Sequence, residues 1–294
     1  MRKALPVFAV LGIILVLWYA GAVWLNSQWV IDQAARAGTE VGFTDILQGT
    51  MNQDRPKLPP PHQVASALWE GIAGEPVTSK RSLVYHAWVT VEATFTGFLL
   101  GLVVGVLLAV GIVQFRVLDL SVMPWAVISQ TIPIVALAPM IVVLSNSLGL
   151  GDRLGLDNRL VSKTIIAAYL SFFPVLVGMV KGLRSPEASH LDLLHTYNAS
   201  GSQTFWKLRL PASVPYLFAS LKVAIAAALV GAIVGELPTV AVEGLGARML
   251  VASQFGQPLL MWASLFMAAI VAGVLILGVG AVQKLADARM GVRP

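Results

Sequence analysis

Cysteine is absent from all 294 residues, and charged residues make up only 12% of them. The first absence excludes disulfides, thiolate metal centres and a cysteine nucleophile. The second excludes an ordinary soluble fold, which carries about 25% charge, and a disordered chain, which stays open because it is charged and poor in apolar residues. Histidine is scarce, and His62, His86, His190 and His195 fall at no metal-ligand spacing. The acidic stretch from Gly151 to Arg159 does not match an EF-hand either, and reads as a turn-rich loop. No metal site is expected. No Gly-x-x-x-x-Gly-Lys-Ser/Thr segment occurs, so the chain cannot itself cradle nucleotide phosphates. No nucleophile-and-base set appears, so no catalytic residues are expected. What is present is apolar: 57% of residues are hydrophobic, and the mean hydropathy is +0.78. The fold class this implies is all-α, a polytopic membrane protein.

A helix needs about 20 apolar residues to cross the bilayer. Six runs qualify: Leu5–Leu25, Ala93–Val113, Leu120–Leu144, Thr164–Val180, Val214–Leu237 and Leu259–Val282. The first is too long for a signal-peptide core, although Ala20-Gly21-Ala22 resembles a cleavage site, so it reads as an uncleaved span. In the second, Gly97, Gly101 and Gly105 form small-xxx-small steps that admit a close neighbouring helix. The third carries Pro124, Pro133 and Pro139 and is expected to kink or break. Pro174 interrupts the fourth.

Basic residues set the orientation. With both termini cytoplasmic, the inner segments hold eleven of the 20 basic residues but four of the 15 acids, although their loops are the shorter ones. The chain then divides into a first transmembrane helix (1–25), a periplasmic segment (26–83), a transmembrane domain (84–283) with a cytoplasmic loop at 183–213, and a cytoplasmic tail (284–294). In the periplasmic segment, Leu58-Pro59-Pro60-Pro61 is rigid and extended. Val64, Ala67, Leu68 and Gly71 then follow at helical spacing, which reads as a short helix in the membrane plane, with Trp69 and Trp88 at the interface.

The loop at 183–213 is more informative. Ser185-Pro186-Glu187 reads as a helix start, with Ser185 as cap, Pro186 at the first position and an acid at the positive end. Asn198 tolerates a left-handed backbone and reads as that helix's stop. A second helix is expected over Ser202–Arg209, followed by Pro211 and Pro215 before the fifth span.

This loop resembles the coupling loop of type I permeases in ATP-binding cassette importers, Glu-Ala-Ala-x-x-x-Gly-x-x-x-x-x-x-x-x-x-Ile-x-Leu-Pro. Aligned on Leu210-Pro211, the isoleucine falls on Leu208, the glycine on Asn198, and the Glu-Ala-Ala on Asp192-Leu193-Leu194. The acid is kept, the two alanines are lost, and Ala199-Ser200 follows the glycine position as in the family. Gln130-Thr131-Ile132-Pro133, Ala138-Pro139, Phe172-Phe173-Pro174, Pro215-Tyr216-Leu217, Gly235-Glu236 and Gly244-Leu245-Gly246 occur in the family's order, as does Thr90-Val91-Glu92 before Gly97-Phe98. The set resembles the permease group for nitrate, sulfonates, taurine, thiamine precursors and riboflavin, over about residues 56–283.

The resemblance implies a type I importer permease fold with six transmembrane helices in a bacterial inner membrane. It also implies transport of a small solute by alternating access, with no cofactor in this chain because ATP and Mg sit in a partner ATPase. The implied partners are ATPase subunits, a second copy or a homologous permease, and a periplasmic solute-binding protein; no nucleic-acid partner is expected. ATPase coupling would fall to Asp192, Asn198, Ala199, Ser200, Phe205, Trp206, Lys207, Leu208, Arg209, Leu210 and Pro211, with Phe205, Trp206 and Leu208 as apolar anchors. Gln130, Thr131 and Pro133, at a proline break, are candidates for the translocation pathway. Ser129, Ser171 and Glu236 are further ones. The alternative is a secondary transporter or channel, which would show internal repeats and polar residues deep in its spans.

Overall fold

A computed structural model describes residues 4–40, 42–238 and 243–289, and all its regular elements are helices. In chain order these are α1 (Ala4–Ala37), α2 (Phe43–Met51), α3 (Pro61–Trp69), α4 (Leu83–Gln114), α5 (Arg116–Ser129), α6 (Ile134–Ser147), α7 (Leu150–Leu154), α8 (Asn158–Leu183), α9 (Ala188–Thr196), α10 (Gly201–Thr204), α11 (Leu210–Glu236), α12 (Leu245–Gln254) and α13 (Pro258–Arg289). Single wide π turns follow α3 at Glu70–Gly74 and join α10 to α11 at Phe205–Arg209. Arg2, Lys3 and Arg293, counted in the charge asymmetry, lie outside the described residues.

Among the described residues, five helices are long and apolar enough to cross a bilayer, and a sixth span exists only if α5 and α6 are taken together. These two helices meet at 103°, so the third run is a broken span or a re-entrant loop, not one kinked helix. The other runs extend beyond their apolar centres. The first helix continues past Leu25 to Ala37, and the second begins at Leu83, well before Ala93. A helix is limited by its caps and breakers, whereas hydropathy marks only the stretch that sits in hydrocarbon.

The chain forms two compact units. The first comprises Met1–Ala87 and Ala247–Ala268. Its organising side chain is Asn26 on α1, which is 1% exposed. The Asn26 amide donates to the Leu58 carbonyl (2.9 Å) and accepts from the Lys57 and Leu58 N–H groups (2.8 and 3.3 Å). Trp18 Nε1 donates to the Pro59 carbonyl at 3.0 Å, and its ring packs on Trp262 and Phe266. Prolines supply no N–H, so side chains on α1 hold this extended stretch through the Leu58 and Pro59 carbonyls and the N–H groups just before Pro59.

The second unit comprises Trp88–Gly246 and Ala269–Pro294. Its core is α8, with α4 and α11 packed closely against it. Small residues allow that approach. A Cβ on Gly97 would stand 2.9 Å from the Thr164 carbonyl oxygen, and one on Gly105 would stand 2.7 Å from that of Phe172. The same device recurs where α8 meets α11: a Cβ on Gly182 would be 2.8 Å from Ser213 Cα, and one on Gly231 would be 2.7 Å from Ala167 Cα. Ala93, Ala167, Val175, Ala224, Ile225 and Ala228 fill the space between.

A Cβ on Gly101 would collide with Ser171 Oγ and stand 3.0 Å from the Ala168 carbonyl oxygen, which is backbone and cannot yield. Gly101→Val is therefore expected to destabilise the protein by about 2–3 kcal/mol through overpacking. Gly12→Val is the control, since nothing lies within 4 Å of that position. Melting temperatures of the two detergent-purified variants check this, and equal melting would remove Gly101 from the packing account.

Candidate functional site

The segment between α8 and α11 is a helix-turn-helix built from local signals. Ser185 does not cap α9. Its hydroxyl donates back to the Gly182 carbonyl at 2.8 Å and closes α8, and Glu187 takes the N-cap position instead. The expected start at Ser185-Pro186 is therefore displaced toward the C-terminus. Arg184 pairs with Asp119 at the start of α5, at 2.8 Å. Asn198 stops α9 with a φ of 51°, the one positive φ outside glycine among the described residues. The Asn198 and Ala199 N–H groups close back on the carbonyls of His195 (2.9 Å) and Leu194 (3.0 Å). Ser200 then caps α10 in a reciprocal box with Gln203: the Ser200 N–H donates to Gln203 Oε1 (2.8 Å), and the Gln203 N–H donates to Ser200 Oγ (3.3 Å).

Pro211 and Pro215 do not separate the second helix from the fifth span. One helix runs from Gly201 to Glu236. The wide turn at Phe205–Arg209 lies just upstream of Pro211, where a proline ring would otherwise press on the carbonyl four residues earlier. Among the expected anchors, Phe205 turns inward with Leu210, against a core of Ala109, Ile112, Leu176 and Met179. Leu208 is half-buried. Trp206 is 64% exposed and rests edge-on against Phe205, with 5.4 Å between centroids. Asp192 and Lys207 are exposed, as are Leu193 (53%) and Tyr197 (76%), which sequence reasoning did not single out as contact residues. Their signal was an apolar residue facing water on a helix that otherwise carries His190, Asp192 and His195. A recess of about 490 Å³ lies beside this surface, lined by Leu191, His195, Ala199, Thr204, Phe205 and Arg209.

The proline break sits between α5 and α6. Pro124 and Pro139 stay inside helices, whereas Pro133 caps α6 in an extended conformation. Ser129, Gln130 and Thr131 form the corner. Ser129 Oγ donates to the Ala126 carbonyl (2.7 Å), Thr131 Oγ1 to that of Ile128 (2.8 Å), and Gln130 Nε2 to Ser129 Oγ (3.3 Å). Tyr169 on α8 donates its hydroxyl to the Ser129 carbonyl, one of the groups the break exposes. Thr131 and Pro133 are exposed. Ser171 is not with them: it is fully buried against α4, where its hydroxyl reaches the Gly97 carbonyl at 3.4 Å.

Glu236, 1% exposed, lies in a third place. Its Oε1 accepts from the Thr90 hydroxyl (2.8 Å) and lies 3.8 Å from Lys163 Nζ, and its Oε2 accepts from the Gly246 N–H (2.7 Å). Thr90 Oγ1 in turn accepts from the Leu245 N–H at 2.9 Å. Two side chains from α4 and α11 thus cap the first N–H groups of α12, and the carboxylate also suits the positive end of that helix. Gly244 packs directly on the carboxylate at a φ of 119°, a conformation and a space that exclude any Cβ. The Thr90-Val91-Glu92, Gly235-Glu236 and Gly244-Leu245-Gly246 segments thus supply one buried cluster. Lys163 is the member that sequence reasoning missed, because nothing local marks a lysine near the start of a span as a core residue.

No group of three or more His, Cys, Asp or Glu that could hold a metal exists among the described residues. The long apolar helices and this packed bundle define a multi-pass membrane protein. Residues 101–292 match the binding-protein-dependent transport system inner membrane component, and the chain belongs to that family. It is the permease component of an importer of the ATP-binding cassette class, a multi-pass inner-membrane protein and not itself catalytic. It is 32% identical to the formylaminopyrimidine transport permease protein ThiX of Halalkalibacterium halodurans, over 68% of this chain and 74% of that one. It is 34% identical to a probable ABC transporter permease of Haemophilus influenzae, over 64% and 72%. It is 26% identical to the taurine transport permease TauC of Escherichia coli, over 77% and 78%. Its fold is that of a chain of the MetNI methionine ABC transporter, at a TM-score of 0.50 and 19% identity, with 76% of this chain and 96% of that one covered.

Proposed function

We propose that this permease moves a small solute from periplasm to cytoplasm by ATP-driven alternating access, with the loop between α8 and α11 docked on an ATPase subunit. The carrying observation is that the left-handed stop at Asn198, the capping box at Ser200 and the exposed Leu193, Tyr197 and Trp206 fall on one short helix-turn-helix. An apolar surface with an aromatic anchor is what a partner groove recognises. Both termini and this loop face the cytoplasm, because that arrangement places most basic residues inside. ATP and Mg belong to the ATPase, a second copy or a homologous permease completes the pathway, and a periplasmic binding protein delivers the solute. The kinds of solute named for the relatives, taurine and formylaminopyrimidine among them, support a small solute of the sulfonate or pyrimidine kind as the substrate. Thr131 and Gln130 at the break between α5 and α6 contribute to the pathway, where freed backbone groups are tolerated beside water.

Reconstitution of the permease with its ATPase and binding protein in proteoliposomes tests the reading. Uptake is expected to follow internal ATP and to ignore an imposed proton gradient. Uptake that follows the gradient without ATP would replace it with a secondary transporter.

A further inference from the structure

The first unit contains a recess of about 500 Å³ lined by none of the candidate coupling or pathway residues. Arg81 and Arg248 line it, together with Glu70, Glu75, Leu259 and Leu260. The two arginines are near enough to repel. Burial first, and then the Arg81 charge, hold the Arg248 guanidinium below its usual range. No ion pair engages either arginine among the described residues, and the buried Arg248 Nε has no hydrogen-bond partner. An arginine offers five donors and loses free energy when they are withdrawn from water without acceptors. The first turn of α13 adds to this. Pro258 carries no N–H, so the N–H groups of Leu259 and Leu260 stand at the positive end of a 32-residue helix. These features share one requirement, an oxyanion.

A bare dianion does not fit the rest of the lining. Glu70 and Glu75 share the recess without neutralising the arginines. Glu75 accepts only from the Ser79 hydroxyl, at 3.4 Å, among the described contacts. The recess therefore presents separate positive and negative groups, and the ligand chemistry that satisfies both carries an oxyanion and an ammonium a few bonds apart. We propose that this recess binds such a small zwitterion, its oxyanion on Arg81 and Arg248 and its ammonium on Glu70 and Glu75. Two sources share the chemistry. Leu259 and Leu260 open a helix apolar enough to span the bilayer, so the recess is at headgroup level, where a phosphoethanolamine headgroup is available. A soluble aminoalkyl phosphate or sulfonate presents the same two groups.

The test reads binding on the purified full-length protein and does not depend on the transport cycle. Titration calorimetry with O-phosphoethanolamine is expected to show saturable binding that Arg81→Gln and Arg248→Gln each weaken by about tenfold or more. Arg248→Lys should weaken it less, and unchanged melting of Arg81→Gln, a surface variant, separates loss of the site from loss of the fold. Ethanolamine and sulfate alone should each bind more weakly than the zwitterion. Native mass spectrometry from nanodiscs of phosphatidylethanolamine separates the sources. Lipid retained by the wild type and lost by Arg81→Gln assigns the site to a headgroup. Arginine-dependent binding of the soluble probe without arginine-dependent lipid assigns it to a free solute. Equal binding by wild type and both arginine variants in both arms overturns the proposal, as does sulfate binding as tightly as O-phosphoethanolamine.

Discussion

Glu236→Ala is expected to destabilise the protein by about 3–5 kcal/mol, the usual consequence of removing one partner of a buried ion pair. The carboxylate is 1% exposed and has Lys163 Nζ at 3.8 Å. Its removal leaves the ammonium in the core without a counter-charge. It also leaves the Gly246 N–H without its carboxylate acceptor, so the start of α12 loses a cap. Glu236→Gln should cost less, because an amide still accepts a hydrogen bond. The double variant Lys163→Met/Glu236→Gln should recover part of the loss, since no buried charge then remains. Melting temperatures of the wild type, Lys163→Met, Glu236→Gln and the double variant form a double-mutant cycle. Strict additivity of the single changes would show that the two side chains do not interact.

The second large effect is on coupling. Trp206→Ala should weaken ATPase binding by about 30-fold, the equivalent of a 2 kcal/mol hot spot, with little loss of stability. The side chain is 64% exposed, and its internal contact is one edge-on stack against Phe205. Such a pair contributes about 0.5–1.5 kcal/mol. Combined with Asp192→Ala, the change should bring ATP-driven uptake to background while the protein still inserts. Two measurements decide it: the amount of ATPase that co-purifies, and uptake in reconstituted vesicles. Wild-type uptake by the double variant would end the coupling assignment for these residues. Phe205→Ala should behave differently and lower melting, because Phe205 packs into the core with Leu210.

The contrast between Trp206 and Phe205 marks where sequence reading stops. Adjacent aromatics on a helix point in different directions, and only the packing of α4 and α8 shows which one finds a core. Asn198 was legible because its signal is local: a residue that tolerates φ near +50° stands where a helix must end. Ser185 was misplaced as a cap because two local bonds compete for one hydroxyl, and closing α8 prevails. The three prolines of the third run looked alike. Pro124 and Pro139 remain inside helices, and the chain turns only at Pro133, where Ser129–Ile132 forms a corner that Tyr169 holds from α8. In the sequence Glu236 reads as an acid near a span end and a pathway candidate, and its role on α12 is not legible there, since Thr90 lies 146 positions away in the chain.

The sequence by itself determined that the chain lives in a membrane, because twelve per cent charge cannot cover a water-soluble surface. It also determined the helical class, through the length of the apolar runs, and the helix-turn-helix, through caps and stops that act within a few residues. The tertiary structure alone decided which of those residues are free to act. Burial sets Glu236 and Lys163 together as a clasp on α12, sends Phe205 inward and Trp206 outward, and leaves Arg81 and Arg248 lining one recess with no acid among the described residues paired to either. The physical reason is range. Propensity and hydropathy are properties of neighbours along the chain, whereas desolvation and charge pairing are set by neighbours in space.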